Sequence, residues 1–112
     1  MKVILPVLGN SPQSVIDPRF GRCKFYALAD TESDEITFIP YEEKERGSGI
    51  NAANYVLNYK PDVIVVGNIG PKAFQVLSRA GIKIYGGVNG SIQEILDKLK
   101  NGKLKPLTSA TK

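Results

Sequence analysis

The chain contains no histidine and only one cysteine. Without histidine it lacks the usual general base and the commonest metal ligand. Ser–His and Cys–His nucleophile pairs are excluded with it. A single cysteine closes no internal disulfide. Cys23 alone does not build a four-ligand zinc site, so carboxylates or a second subunit would have to complete any metal shell. Long apolar runs are missing too. Val63-Ile64-Val65-Val66 has the length of a buried strand, and nothing approaches the roughly 20 residues of a membrane helix. Met1 to Pro6 is too short for a secretory signal, and no small-residue cleavage site follows it. A cytoplasmic location and no membrane partner are expected.

Aromatic residues are absent after Tyr85, where Lys98, Lys100, Lys103, Lys105 and Lys112 gather around Asp97 alone. This run supplies much of the net charge of +4. A basic patch without interleaved aromatics argues against a nucleic-acid partner. The lysines instead solubilise a surface and favour a helix C-terminus. What remains is ordinary for a globular protein: 42% hydrophobic and 23% charged residues in a chain of 112, enough for one domain with a real core.

Lys2 to Val7 reads as a first strand, followed by the polar turn cluster Gly9 to Ser14. Lys24 to Asp30 and Glu35 to Pro40 read as two strands joined by Thr31-Glu32-Ser33-Asp34, short enough for an antiparallel hairpin. Tyr41 to Gly49 is a charged loop ending in Gly47-Ser48-Gly49, with the character of a ligand-facing segment. The first helix is expected after it, burying Ile50, Ala53 and Leu57, exposing Asn51, Asn54, Tyr55 and Asn58, and ending at Lys60-Pro61. Val63 to Val66 lacks alternation, as a parallel strand covered on both faces does. Pro71 opens a second helix with Ala73, Phe74 and Leu77 on its apolar stripe, and Gly81 ends it. Lys83 to Tyr85 is a short strand. Ser91 and Glu94 form a capping box for a last helix that buries Ile92, Ile95, Leu96 and Leu99. Thr108 to Lys112 reads as a loose tail. Right-handed crossovers make the later strands parallel, so the fold class is α/β with an antiparallel hairpin added to the sheet.

The chemistry gathers in Asp17-Pro18-Arg19-Phe20-Gly21-Arg22-Cys23. Pro18 restricts the backbone, and Gly21 permits a sharp turn. Such a turn sets Arg19 and Arg22 together as two forked donors, with the Cys23 thiol beside them. Arg22 and Lys24 would lower the pKa of that thiol and suit it to metal ligation; equally, Cys23 is a small apolar filler at a strand start. Ligands of open α/β sheets bind beyond the carboxyl ends of the parallel strands. There the glycine-rich loops Gly9 to Ser14, Gly67-Asn68-Ile69-Gly70-Pro71 and Gly86 to Ser91 are expected to meet. Their glycines serve either tight strand-to-helix turns or an anion held at helix N-termini. The Gly67 loop lacks the lysine and hydroxyl of a P-loop, and no GxGxxG occurs. Asp17, Asp30 and Asp62 fall in different loops, which does not announce the carboxylate cluster of a magnesium-dependent nuclease.

Asp17-Pro18-Arg19-Phe20-Gly21-Arg22, Gly47-Ser48-Gly49-Ile50, Gly67-Asn68-Ile69-Gly70-Pro71 with Ala73-Phe74, Ala80-Gly81-Ile82-Lys83 and Gly102-Lys103-Leu104 follow one another in order. With this set the chain resembles the dinitrogenase iron–molybdenum cofactor biosynthesis family, the small domain related to NifX, NafY and the C-terminal part of NifB. The resemblance implies a ribonuclease H-like fold over residues 1–107. In it a five-stranded mixed sheet, its second strand antiparallel, is flanked by three helices, and a flexible tail follows over 108–112. It also implies a non-enzymatic protein that binds or carries an iron–sulfur-type cluster, the iron–molybdenum cofactor or its precursor, and works with cofactor-assembly proteins. The site read from the residues suits such a cargo: Arg19, Phe20, Gly21, Arg22, Cys23, Gly67, Asn68 and Gly70, with Cys23 as the metal ligand. Family members often carry histidine before the first helix; here Arg46 precedes Gly47, so ligation would rest on Cys23. The alternatives are a metal-independent interaction or regulatory domain and, by analogy of fold alone, a ribonuclease H-like nuclease.

Overall fold

The computed structural model describes residues 1–42 and 48–111. Its central element is β1 (Lys2–Val7), buried at every position after Lys2. Successive side chains of a strand point to opposite faces, and here both faces are covered. Val3, Leu5 and Val7 enter one apolar cluster and Ile4 the other. On one edge β1 pairs antiparallel with β2 (Phe25–Asp30), which pairs antiparallel with β3 (Ile36–Pro40). On the other edge it pairs parallel with β4 (Val63–Val65), and β4 with β5 (Lys83–Tyr85). The result is a five-stranded mixed sheet in the order β3-β2-β1-β4-β5. Three helices flank it: α1 (Ser48–Leu57), α2 (Pro71–Arg79) and α3 (Ile92–Lys100). The α/β class, the hairpin and the parallel half stand as the sequence reads.

Under α1 and α2 the core holds Ile4, Tyr26, Ile39, Ala52, Ala53, Val56, Ile64 and Leu77. Under α3 it holds Val3, Leu5, Val63, Val65, Ile92, Ile95 and Leu96. The capping box of α3 is formed: Glu94 N–H donates to Ser91 Oγ, and Ser91 N–H to Glu94 Oε1, each at 3.2 Å. Gly81 and Gly102, with φ of +80° and +68°, follow α2 and α3.

Several expectations change. Helix α1 begins at Ser48, so Gly49 lies inside it, where a Cβ would stand 3.3 Å from Ala73 Cβ. Ala53 is buried as expected and Leu57 packs half-buried on the core, but Ala52 and Val56 complete the buried face in place of Ile50, which is exposed. Close packing of α1 on α2 selects the small side chains. Tyr55 also leaves the polar face. It packs among Tyr26, Tyr41 and Tyr59, and its hydroxyl donates to the Pro40 carbonyl at 2.5 Å. The charged loop read between Tyr41 and Gly49 lies outside the described residues over 43–47. Beyond Leu107, where a loose tail was expected, Thr111 returns to the domain and hydrogen-bonds to Ile69.

Candidate functional site

Because β1, β4 and β5 run parallel, the loops that follow them share one end of the sheet. They are tied together by backbone: Ile16 N–H donates to Gly90 O at 2.9 Å, Ile92 N–H to Ser14 O at 3.0 Å, and Gly87 N–H to Gly67 O at 3.0 Å. The chain leaving the first loop then reaches Arg19, which lies in an isolated parallel bridge with Asn68.

Asp17 shapes this segment. Its carboxylate accepts Arg19 N–H at 2.9 Å and, with its two oxygens, Arg19 Nε and Nη2 at 3.1 Å each. Three donors account for a carboxylate that is only 1% exposed; a buried charge otherwise demands pairing of this kind. The contact also raises the pKa of Arg19, chiefly through the hydrogen bond to Asp17, so the guanidinium is permanently charged. Asp17 takes two of its five N–H bonds, and the guanidinium lines the cleft described below. Asp17 was set aside as an isolated carboxylate in the sequence. Its spacing to Arg19, an aspartate reaching the backbone N–H two residues on, is the Asx-turn pattern that reveals it.

Arg22 N–H closes the turn onto Arg19 O at 3.1 Å, with Phe20 and Gly21 at its centre. Gly21 is not among the residues with positive φ, so this turn does not draw on glycine's left-handed freedom as expected. The Phe20 ring anchors it instead, 3% exposed and edge-on to Tyr26 at 5.6 Å. The buried Tyr26 hydroxyl donates to the Phe20 carbonyl.

Arg19 to Arg22 and, joined to them by the Arg19–Asn68 bridge, Asn68 to Gly70 wall a cleft of about 470 Å³. Gly49 and Ala73 complete the lining; both stand in the motifs that carry the family resemblance, but neither is among the site residues expected from the sequence. Two helices therefore begin at this cleft. Gly70 is the N-cap of α2 and offers no side-chain hydrogen bond to the first turn. Helix starts carry partial positive charge and unpaired N–H groups. Arginines, an amide and two helix starts make a cleft suited to an anion.

Two of the expected site residues face elsewhere. Gly67 is buried beneath the Pro18 segment rather than in the cleft: a Cβ there would stand 2.9 Å from Pro18 Cα. Cys23 is 2% exposed, with Sγ 3.8 Å from the Phe20 carbonyl it shares with Tyr26. Burial pushes its thiol up to about 12. The expected lowering by Arg22 and Lys24 is overridden, because those two side chains are exposed while Cys23 points into the core. Among the described residues no three of His, Cys, Asp and Glu are grouped to hold a metal.

The neutral thiol gives a direct test. Below its ordinary value of 9.0 Cys23 is protonated in folded and unfolded chains alike. Between about 9 and about 12 only the unfolded chain ionises. The unfolding free energy is therefore expected to fall as pH rises through that window. Iodoacetamide at pH 8 should label Cys23 slowly in the native protein and rapidly in urea; equal rates would contradict the buried placement.

The sequence profile described as dinitrogenase iron-molybdenum cofactor matches residues 1–102. An uncharacterised protein of Methanocaldococcus jannaschii is 33% identical over 110 residues, covering 94% of this chain and 90% of that protein. Among solved structures, the apo form of the orange protein from Desulfovibrio gigas superposes with a TM-score of 0.93 at 25% identity, over 99% of this chain and 96% of the other. A Thermotoga protein described as a candidate NifB protein superposes with a TM-score of 0.84 at 28% identity, over 99% and 97%.

Proposed function

The chain belongs to the dinitrogenase iron-molybdenum cofactor family, and from that premise we propose that it is a small non-enzymatic carrier of an anionic metal–sulfur cluster, either the iron–molybdenum cofactor, its precursor or an iron–sulfur cluster. One observation carries the reading: the Arg19–Arg22 turn, Asn68 and the starts of α1 and α2 converge on one cleft. Such a lining fits a cargo that brings its own inorganic ligands. Guanidinium and amide N–H groups bond sulfide or carboxylate at the cluster surface, while the protein adds no thiolate or imidazole from the described residues of that wall. Cys23 stands behind the turn as a neutral thiol, so the cargo is held by charge and hydrogen bonds rather than by a Cys23–metal bond. Cofactor-assembly proteins are the partners from which it receives the cluster and to which it delivers it, in the cytoplasm. No helix among the described residues is long and apolar enough to cross a membrane.

The order β3-β2-β1-β4-β5 with β2 antiparallel supports placing the sheet among ribonuclease H-like folds. A nuclease would need converging carboxylates for magnesium, and Asp17, two residues from the cleft residue Arg19, is committed to Arg19. A metal-independent interaction domain is the second reading. Leu8 and Val15 favour it, both exposed and joined by the Leu8 N–H to Val15 O bond at 3.0 Å.

Anaerobic titration of the apo-protein with isolated iron–molybdenum cofactor and with a synthetic iron–sulfur cluster tests the carrier. Co-elution of protein and visible absorbance on gel filtration is the expected result. Protein that emerges colourless from both titrations would transfer the function to the interaction reading.

A further inference from the structure

After α3 the chain forms no regular element, yet it is fastened to the domain at successive points. Pro106 faces Tyr85 in an isolated antiparallel bridge, and Leu107 N–H donates to Ile84 O at 2.7 Å. The Leu107 side chain lies over Gly86, where an added Cβ would meet its Cδ1 at 2.5 Å. The segment thus covers the free edge of β5 and then crosses to the connection between β4 and α2. There Thr111 takes hold of one residue with everything it has. Its N–H donates to Ile69 O at 3.0 Å, its Oγ accepts Ile69 N–H at 2.7 Å, and its hydroxyl lies 3.1 Å from the same Ile69 carbonyl.

Ile69 is 1% exposed, so water cannot easily replace these bonds, and a buried peptide left without partners is costly. Its neighbours Asn68 and Gly70 are cleft-wall residues, and Asn68 is the bridge partner of Arg19. Thr111 holds the wall without lining the cleft.

We propose that residues 108–111 are a strap that fixes the Asn68–Gly70 wall, so that the attachment of this segment and the occupancy of the cleft are coupled. The wall's register with Arg19 and the Gly70 start of α2 both exist with the strap in place, which makes the strapped form the one that accepts the ligand. By linkage, a ligand in the cleft then holds the strap down, and anything that lifts the strap loosens the ligand by the same factor. A partner that takes up the segment is thereby given a means of release. The coupling to cargo rests on the carrier reading; the strap itself does not.

Amide hydrogen exchange separates the two. In the ligand-free protein, Thr111→Val keeps the shape of the side chain and removes the hydroxyl, Thr111→Ser keeps the hydroxyl, and a chain ended after Leu107 removes the segment. Exchange at Ile69 is expected to accelerate about tenfold in Thr111→Val and in the shortened chain, to stay slow in Thr111→Ser, and to leave β1 amides unchanged. Wild-type exchange at Ile69 in both the valine variant and the shortened chain would overturn the strap, whatever the cleft carries. With a synthetic iron–sulfur cluster as probe, the shortened chain is expected to bind several-fold more weakly than the full chain. Equal affinity would overturn the coupling and leave the carrier reading intact. No uptake by the full chain would remove the carrier reading, and the exchange result would still decide the strap.

Discussion

Alanine at Gly67 is expected to destabilise the fold by about 1–3 kcal/mol, the usual range for forcing atoms into a packed interior, and to abolish cluster uptake. The added Cβ would lie 2.9 Å from Pro18 Cα, 3.4 Å from Pro18 Cβ and 3.5 Å from Val88 O. Two of these are backbone atoms, so no side-chain rotation relieves the contact. Either the Pro18 segment lifts or β4 sinks away from it. Lifting Pro18 carries Arg19 out of its bridge with Asn68 and opens the cleft. Gly70 supplies the internal control. It has φ of −79° and nothing within 4 Å of an added Cβ, so Gly70→Ala should unfold in urea at the wild-type midpoint. Equal midpoints for the Gly67 and Gly70 variants would contradict the close approach of Pro18.

The two glycines show where the sequence speaks and where it stops. Both sit in one motif, and spacing alone gives them the same weight. Only the partner across the contact separates them, and Pro18 lies far from Gly67 in the sequence. The sheet was legible because β-branched and apolar runs broken by glycine and proline encode strands locally. Helix α3 was legible because Ile92, Ile95 and Leu96 repeat at helical spacing behind a capping box. In helix α1 the buried face was legible only in part: Ala53 was found, but Ala52 carries a weak apolar signal and Ile50 a strong one, while tight packing on α2 rewards the small residues. The loops after β1, β4 and β5 were correctly gathered at one end, a consequence of parallel strands.

Of the two readings of Cys23, its burial favours the small apolar filler over the ionised ligand. Arg22 and Lys24 flank it in sequence, but a chain entering a strand alternates sides, which sends both cations outward and the thiol inward. Adjacency suggested an ionised sulfur; alternation, equally visible in the sequence, gives a neutral one. The strap had no local signature at all. Thr111 lies in a polar run, and its bonds to Ile69 span 42 residues.

Replacing both arginines by glutamine is expected to weaken cluster retention about a hundredfold, at roughly tenfold for each charge-assisted donor group, while Cys23→Ala retains the cluster as wild type does. The arginine result needs one precaution. Arg19→Gln strips the guanidinium from the buried Asp17 carboxylate, which would lower stability independently of binding. Adding Asp17→Asn to the pair removes the charge that Arg19→Gln orphans, and a cluster lost from a triple variant that still unfolds at the wild-type urea midpoint is lost through missing donors rather than a disturbed fold. Raised ionic strength should reproduce part of the effect in the wild-type protein, because Arg19 is 58% exposed and its attraction for an anion is screened. The opposite pattern, with retention surviving the arginine changes and vanishing in Cys23→Ala, would mean that the Phe20–Tyr26 contact opens and the thiol ionises on loading. The cargo would then be bound through sulfur, and holding by charge and hydrogen bonds alone would be excluded.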